Sequence, residues 1–232
     1  MLICAIDTSG RDGSLALAQG DASTLQVLYS VPIAGGTYSA QLIPTLSQAL
    51  SATGKQMSEI ALFAVASGPG SFTGLRVALS TVKALAEVLG TTVIAISVLE
   101  ALAWSSGAEG EIIAALDAQR NELFVGDYAI ANDAMSPGQE SLVSAAEFLT
   151  TIAARSSKPQ VVTSDQSVIS RAQEAGIAVK LGPRPNAETY AKLGIRKFLA
   201  GEVTSIEDLD ANYIRRSDAE IFSAPKLGIK AT

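Results

Sequence analysis

The sequence has no histidine among its 232 residues. Serine–histidine–aspartate and cysteine–histidine catalysis, histidine-ligated zinc and paired-histidine iron sites are therefore excluded. Cysteine is nearly absent as well: Cys4 is the only one, so no intrachain disulfide forms. Because Cys4 lies in the apolar run of residues 2–6, we expect a buried small side chain there and not a reactive thiol.

Charged residues are also scarce, at 17% of the chain, and the formal net charge is −6. No basic stripe is present, since the tightest cluster, Arg215-Arg216, is followed at once by Asp218 and Glu220. A protein that grips phosphate backbones by itself normally carries such a stripe. We therefore expect that this chain does not bind nucleic acid alone, although other subunits of a complex can hold it.

Long hydrophobic runs of the kind that cross membranes are missing too. The N-terminal apolar run lacks a basic start and is interrupted by Asp7, so we expect no signal peptide. The most apolar stretch, residues 88–104, contains Glu100 and turn residues, which argues against a membrane span. These features predict a cytoplasmic protein. Hydrophobic residues still make up 48% of the chain, so we expect an alanine-rich core or an apolar face for a partner chain.

Hydrophobic periodicity predicts an α/β protein in two related parts, with a boundary at 107–110. A strand that ends in an aspartate, followed by a polar turn and a returning strand, opens each part, at Asp7 and at Asp117. This echo suggests a duplicated architecture. Residues 132–138 are predicted as a loop. Strands are predicted at 2–7, 14–19, 24–31, 60–66, 91–96, 112–116, 123–130 and 161–162, and helices at 38–50, 73–89, 99–104, 145–154, 166–175 and 186–200.

The strongest local motif is the glycine-rich turn of residues 68–74, between a buried strand and a helix. Glycines permit close backbone approach, and Ser71 or Thr73 can cap the helix that follows. No GK[ST] follows and the spacing differs from the dinucleotide fingerprint, so the turn is neither a P-loop nor a Rossmann site. We expect a tight turn that lets helix and sheet pack closely, with anion contact by the free N–H groups as the alternative.

Asp7 and Asp117 allow two interpretations. In actin-like ATPases and sugar kinases, acids in such places hold a magnesium–nucleotide complex. An Asx turn that closes each hairpin is the structural alternative, and the turn residues after both aspartates would accept it.

Two helices carry more apolar residues than one buried stripe needs. On the helix at 73–89, one face is apolar throughout, yet Val77, Ala84 and Val88 lie largely off that face. A helix that is apolar on more than one side lies deep in a core or at an interface. With helices outside a sheet in a domain of this size, we favour an interface for this helix and for the helix near 38–50.

Four segments together resemble the TsaB (YeaZ) family. They are Ile6-Asp7-Thr8-Ser9, the run SGPGSFTGLR at 67–76, Ala115-Leu116-Asp117-Ala118-Gln119-Arg120 with Glu122, and Tyr213-Ile214-Arg215-Arg216. Their order and spacing cover most of the chain. Members of this family often carry a histidine just before the first apolar helix, where Tyr38 stands here.

The resemblance implies an actin-like (ASKHA, ribonuclease H-like) fold of two lobes, with mixed sheets flanked by helices. The expected N-terminal lobe is 1–106 and the C-terminal lobe is 107–205, with 206–225 packed back on the first. Partner contacts are then expected on the two apolar helices. The expected interface residues are Tyr38, Leu42, Leu46, Leu75, Arg76, Leu79 and Val82.

The resemblance also implies a function. TsaB is a non-catalytic subunit that binds and activates its paralogue TsaD, which transfers threonylcarbamoyl to N6 of adenosine 37 in tRNAs reading ANN codons. TsaE joins the complex, tRNA is reached only through it, and a homodimer is expected when the chain is alone. No catalytic residue, metal or intrinsic cofactor is expected, and the chain is not expected to be a peptidase. The candidate residues for an ATP or ADP at the interface with TsaD are Asp7, Gly68, Gly70, Ser71 and Gly74.

The competing hypothesis is an active ATPase or small-molecule kinase of the actin-like superfamily. It would use Asp7 and Asp117 around magnesium and the turn at 67–74 against phosphate. Nucleotide turnover by the isolated chain distinguishes the two hypotheses.

Overall fold

The structure is a computed structural model that describes residues 1–132 and 134–214. Two five-stranded sheets and six α-helices make up this part of the chain. In chain order the elements are β1 (Leu2–Asp7), β2 (Gly13–Gln19), β3 (Gln26–Ile33), α1 (Tyr38–Thr53), β4 (Ile60–Gly68), α2 (Phe72–Leu89), β5 (Thr92–Ser97), α3 (Val98–Ser105), β6 (Gly110–Asp117), β7 (Glu122–Ala131), β8 (Ala134–Ser144), α4 (Ala145–Ala154), β9 (Gln160–Thr163), α5 (Gln166–Glu174), β10 (Val179–Leu181) and α6 (Ala187–Leu199), with a short 3-10 helix at Met57–Glu59 before β4.

The two sheets repeat one topology. The first sheet has the strand order β3-β2-β1-β4-β5, and the second, read from the corresponding edge, has the order β8-β7-β6-β9-β10. Strands β6 to β10 therefore take the places of β1 to β5. In each sheet the first three strands pair antiparallel, and the last two run parallel to the first. Helices follow the equivalent strands in both halves. The duplication suggested by Asp7 and Asp117 therefore extends over both halves of the fold.

Helices cover both faces of the first sheet. On one face, α1 and α2 pack side by side over alternate residues of the strands, such as Cys4, Ile6 and Leu17. On the other face, α3 and α6 pack together and lie between the two sheets, so that one core contains Ile3 of the first sheet and Ile112 of the second. The period-two alternation of each strand thus divides its side chains between two cores.

The ends of α2 follow ordinary capping rules. The Ser71 hydroxyl accepts a hydrogen bond from the Gly74 amide at 3.2 Å, which satisfies one of the free N–H groups of the first turn. Gly90 ends the helix in the left-handed conformation, with φ of 62°. Among the residues that the structure describes, no helix combines the length and hydropathy needed to cross a membrane.

The predicted loop at 132–138 is wrong in part, because β8 begins at Ala134 and continues to Ser144. This strand contains three serines and a Pro-Gly pair among its eleven residues, which gives no strand pattern in the sequence. It forms at the edge of the second sheet because β7 supplies its hydrogen-bond partners along almost its whole length. The short edge strand β10 was also not predicted.

The chain returns to the first sheet after β10. Helix α6 contacts β1, β2 and β4, although the predicted C-terminal lobe runs to residue 205. The reason is the duplication, since α6 is the equivalent of α3 and both helices fill the space between the sheets. Farther on, Thr204 bridges to Val93 and Leu209 enters the core under α2. Residues 215–225 of the segment expected to pack back lie outside the described residues.

Candidate functional site

A large cleft opens where the C-terminal ends of β1, β4 and β6 meet. Its volume is about 1300 Å³. Five segments line it: the loop after β1, residues 34–36 with the start of α1, the turn and first residues of α2, the loop after β6, and residues 212–214. Phe124 and Arg184 complete the lining. In α/β proteins such a position outside the carboxyl ends of strands is the usual place for a ligand.

The glycines of the turn before α2 allow the helix to approach the loop after β1. A Cβ on Gly74 would lie 2.0 Å from the Thr8 carbonyl oxygen, and one on Gly70 would lie 2.3 Å from that of Ser9. The Thr8 hydroxyl donates to the Gly74 carbonyl at 2.7 Å, and the Ser71 amide donates to the Ser9 carbonyl at 2.7 Å. The close approach therefore joins α2 to the first hairpin, as a tight turn should.

Asp7 forms an Asx turn. Its Oδ1 accepts a hydrogen bond from the Ser9 amide at 2.8 Å, and its side chain is buried below the cleft and does not line it. Burial raises the pKa of the Asp7 carboxyl, while the bonds from Ser9 and the guanidinium of Arg184 oppose that rise.

Asp117 occupies the equivalent place in the second half and also forms an Asx turn. Its Oδ1 accepts from the Gln119 amide at 2.8 Å, and its Oδ2 accepts from the Ser167 hydroxyl at 2.7 Å. The carboxylate thus fixes the loop after β6 and ties it to α5. This is the structural alternative that the sequence left open for both aspartates.

The acids of the cleft do not fit a magnesium–nucleotide complex. Magnesium needs oxygen ligands in near-octahedral geometry, usually one or two carboxylates that face the bound phosphates. Asp7 is buried and does not line the cleft, and Asp117 uses both of its oxygens to hold the loop after β6. The other acid of the lining, Asp12, is exposed on the loop after β1 and belongs to no metal-binding group within the part of the chain that the structure describes. No group of three or more aspartate, glutamate or cysteine side chains with metal-binding geometry occurs among the described residues.

Six of the seven predicted interface residues are buried in the core between α1, α2 and the first sheet, so their assignment to a surface is corrected. They are Tyr38, Leu42, Leu46, Leu75, Leu79 and Val82, with at most 6% of each residue exposed. Tyr38 instead supports the loop after β1, because its hydroxyl lies 3.1 Å and 3.0 Å from the carbonyl oxygens of Gly10 and Arg11 and shares its proton between them.

Arg76 is exposed at the rim of the cleft. Its guanidinium lies 3.8 Å from the centre of the Phe72 ring, and its Nε donates to the Tyr213 hydroxyl at 2.8 Å. The two rings lie 5.3 Å apart, so the arginine and the aromatic pair form one cluster between α2 and the C-terminal segment. The interactions of Phe72 and Tyr213 join segments far apart in the chain, and no local pattern predicted them.

The outer side of α1 and α2 carries exposed apolar residues. Ile43 is 45% exposed and Val88 is 84% exposed, Ala84 is exposed, and Val77 is half-buried. We call these four residues the α1–α2 face. On α2, the α1–α2 face is the second apolar side that the sequence indicated. The predicted interface residues Leu75, Leu79 and Val82 lie on the other side of the helix, which faces the sheet.

The comparison with family models decides the family. The model described as "TsaD: tRNA N6-adenosine threonylcarbamoyltransferase" matches residues 32–198, well over half of the chain. The chain belongs to the TsaD family. Within this family, the chain is 25% identical to the tRNA threonylcarbamoyladenosine biosynthesis protein TsaB of Escherichia coli, over 94% of this chain and 96% of that protein. It is 27% identical to the TsaB of Bacillus subtilis, over 95% and 96%.

Comparison with solved structures shows the fold of this TsaD-family chain. The structure of YeaZ from Pseudomonas aeruginosa matches with a TM-score of 0.72 and 25% identity, over 91% of this chain and all of that one. The resemblance to TsaB (YeaZ) and the predicted actin-like, ribonuclease H-like fold with two mixed sheets are both confirmed.

Proposed function

We propose that this chain is a non-catalytic subunit of the machinery that places threonylcarbamoyl on N6 of adenosine 37 in tRNAs reading ANN codons. The observation that carries the proposal is the match to two TsaB proteins, named for tRNA threonylcarbamoyladenosine biosynthesis, over about 95% of the chain. In this proposal the chain works in the cytoplasm, binds and activates the catalytic TsaD, and joins TsaE in a ternary complex. Contact with tRNA is made only through that complex.

A non-catalytic role is supported by the chemistry of the chain. It has no histidine, and the two aspartates at the ends of β1 and β6 serve as turn-closing residues. Gly70 and Gly74, two of the candidate residues for binding a nucleotide, lie with their backbone close against the first hairpin. A nucleotide at the interface with TsaD would therefore need groups from the partner as well.

The α1–α2 face is the proposed contact for TsaD. Ile43 and Val88 are large apolar side chains exposed to water, on two helices that pack against each other. Covering such side chains by a partner is favourable by about 25 cal/mol per Å² of apolar surface. When TsaD is absent, a second copy of the chain is the proposed occupant.

Reconstitution with TsaD and TsaE tests the role. Modification of tRNA is expected to require this chain, and the isolated chain is expected to show neither transferase nor ATPase activity. Nucleotide turnover by the isolated chain that is abolished by Asp7→Asn would instead establish the kinase or ATPase hypothesis.

Charge substitutions on exposed residues test the contact. Ile43→Glu and Ala84→Glu are expected to weaken TsaD binding by at least about tenfold, because a carboxylate would lose water at the contact. Leu199→Glu is the matched control, since Leu199 is 59% exposed on α6 and lies outside this face. Equal affinity of TsaD for all three variants in a binding titration would exclude the α1–α2 face. Substitutions at buried Leu75 or Leu79 are unsuitable, since a buried charge would destabilise the chain itself.

A further inference from the structure

The cleft gathers arginines that lie far apart in the sequence. Its described lining holds four arginines and two acidic residues, namely Arg11, Arg76, Arg120, Arg184, Asp12 and Asp117. The chain as a whole has a net charge of −6, so this region is of opposite sign to most of the protein. A cleft lined mainly by one sign of charge focuses the field and attracts ions of the other sign.

The loop that carries Arg120 has an unfavourable backbone. Gln119, Arg120 and Asn121 are consecutive non-glycine residues with φ of 64°, 54° and 62°. Left-handed residues of this kind persist only where surrounding interactions fix them, and they are concentrated at ligand sites. Here the Asp117 carboxylate holds the Gln119 amide, and the Ala145 amide donates to the Asn121 carbonyl at 2.9 Å. The strained loop therefore places Arg120 at the cleft.

Arg184 lies beside the loop after β1. Its Nη2 lies 3.5 Å from the Ser9 hydroxyl, and its Nε lies 3.2 Å from the point where a Cβ on Gly10 would stand. Its charge acts on Asp7, the one acid at the end of β1. A guanidinium in this position neutralises the carboxylate and repels a divalent cation, because like charges at short distance disfavour each other.

Arg11 completes the positive side of the loop after β1. Its side chain is exposed at the cleft, while its carbonyl oxygen is held by the Tyr38 hydroxyl at 3.0 Å, so the loop that carries it is anchored to α1. Guanidinium groups form paired hydrogen bonds with phosphate oxygens in a geometry that suits both. Arg76 contributes charge, although its Nε is already bonded to Tyr213.

We propose that the cleft binds a phosphate-bearing anion without a divalent metal, through Arg11, Arg120 and Arg184. The arginines take the role that magnesium has in actin-like ATPases, and the aspartates hold the loops in place. This site goes beyond the proposed function, because none of the three arginines belongs to the α1–α2 face, of which only Val77 lines the cleft.

Calorimetric titration of the isolated full chain with inorganic pyrophosphate tests the proposal. Binding is expected in EDTA and is expected to weaken at least about threefold when magnesium is added, since the metal removes charge from the anion. Arg11→Gln and Arg184→Gln are each expected to lower the affinity about tenfold or more. Lys158→Gln and Lys192→Gln are the controls, because they remove the same charge from exposed residues outside the cleft and are expected to change the affinity less than twofold.

Titration with ADP and AMP identifies the source of the phosphate. ADP is expected to compete with pyrophosphate, and the ratio of the two affinities shows whether a nucleoside adds to the phosphate contacts. The proposal is overturned if pyrophosphate does not bind at millimolar concentration, if binding requires magnesium, or if the cleft variants and the lysine controls bind alike. Arg11→Gln keeps the test decisive even if Arg184→Gln unfolds the chain, because Arg11 is exposed.

Discussion

Replacing Gly74 by alanine is expected to destabilise the protein, although alanine is the better helix former. The added Cβ would lie 2.0 Å from the Thr8 carbonyl oxygen, whereas a carbon and an oxygen in contact normally stay about 3.3–3.6 Å apart. The obstacle is backbone on both sides, so either α2 or the first hairpin has to move by more than an ångström. That movement would also break the buried bond from the Thr8 hydroxyl to the Gly74 carbonyl.

The opposing contributions can be compared. Forcing an extra carbon into packed structure costs about 1–3 kcal/mol, and a lost hydrogen bond costs about 0.5–1.5 kcal/mol. The gain in helix propensity from glycine to alanine is at most about 1 kcal/mol, and less in the first turn. We therefore expect Gly74→Ala to lower the free energy of unfolding by about 1–3 kcal/mol.

Urea unfolding measures the effect, followed by the fluorescence of Trp104, the one tryptophan. Gly182→Ala is the matched control, because a Cβ there meets no atom within 4 Å and its φ is outside the left-handed range. That control is expected to be neutral or to stabilise by up to about 1 kcal/mol. The Ser71 amide, which donates to the Ser9 carbonyl, should exchange its hydrogen faster in Gly74→Ala than in the parent, and at the parent's rate in Gly182→Ala. If the two variants unfold at the same urea concentration, the close approach of α2 to the hairpin does not explain the glycine.

Two further predictions concern buried charges, each measured as unfolding free energy against pH. Lys197 lies 2.6 Å from Glu100 and 2.7 Å from Glu202. Burial lowers the pKa of Lys197, but the two carboxylates outweigh burial and raise it, so the contribution of Lys197 to stability is full below its ordinary pKa and is lost as the pH rises through the raised one. Lys197→Met should lower the free energy of unfolding by about 2–4 kcal/mol at pH 7, because Glu100 is left without its partner. The loss should be smaller in acid, since burial raises the pKa of Glu100 and the carboxyl then takes a proton. An equal loss of stability from Lys197→Met when Glu100→Gln is also present would contradict this. Burial also raises the pKa of Asp7, so its ionised form costs stability above that pKa and the cost disappears as the pH falls through it. Asp7→Asn should therefore be at least as stable as the parent at neutral pH and equal to it in acid, and a less stable variant at pH 7 would refute the explanation.

The sequence by itself determined the elements that depend on local pattern. Alternating or continuous apolar runs predicted most strands, and spacing by three and four predicted the helices, because each element buries one face in its own periodicity. Edge strand β8 escaped prediction because its polar residues form a strand only through pairing with β7. The repeated aspartate at the ends of β1 and β6 revealed the duplication, since an Asx turn leaves a local signature.

Only the tertiary structure decided which residues are available to ligands and partners. Helix α2 is apolar on two sides, and periodicity does not say which side faces a sheet, so Leu75 and Leu79 proved to be core while Val88 is exposed. Arg11, Arg120 and Arg184 are separated by scores of residues, and they line one cleft only because the fold brings together the loops that follow β1, β6 and β10. Long-range convergence of this kind is a property of the packed chain, and no segment of sequence contains it.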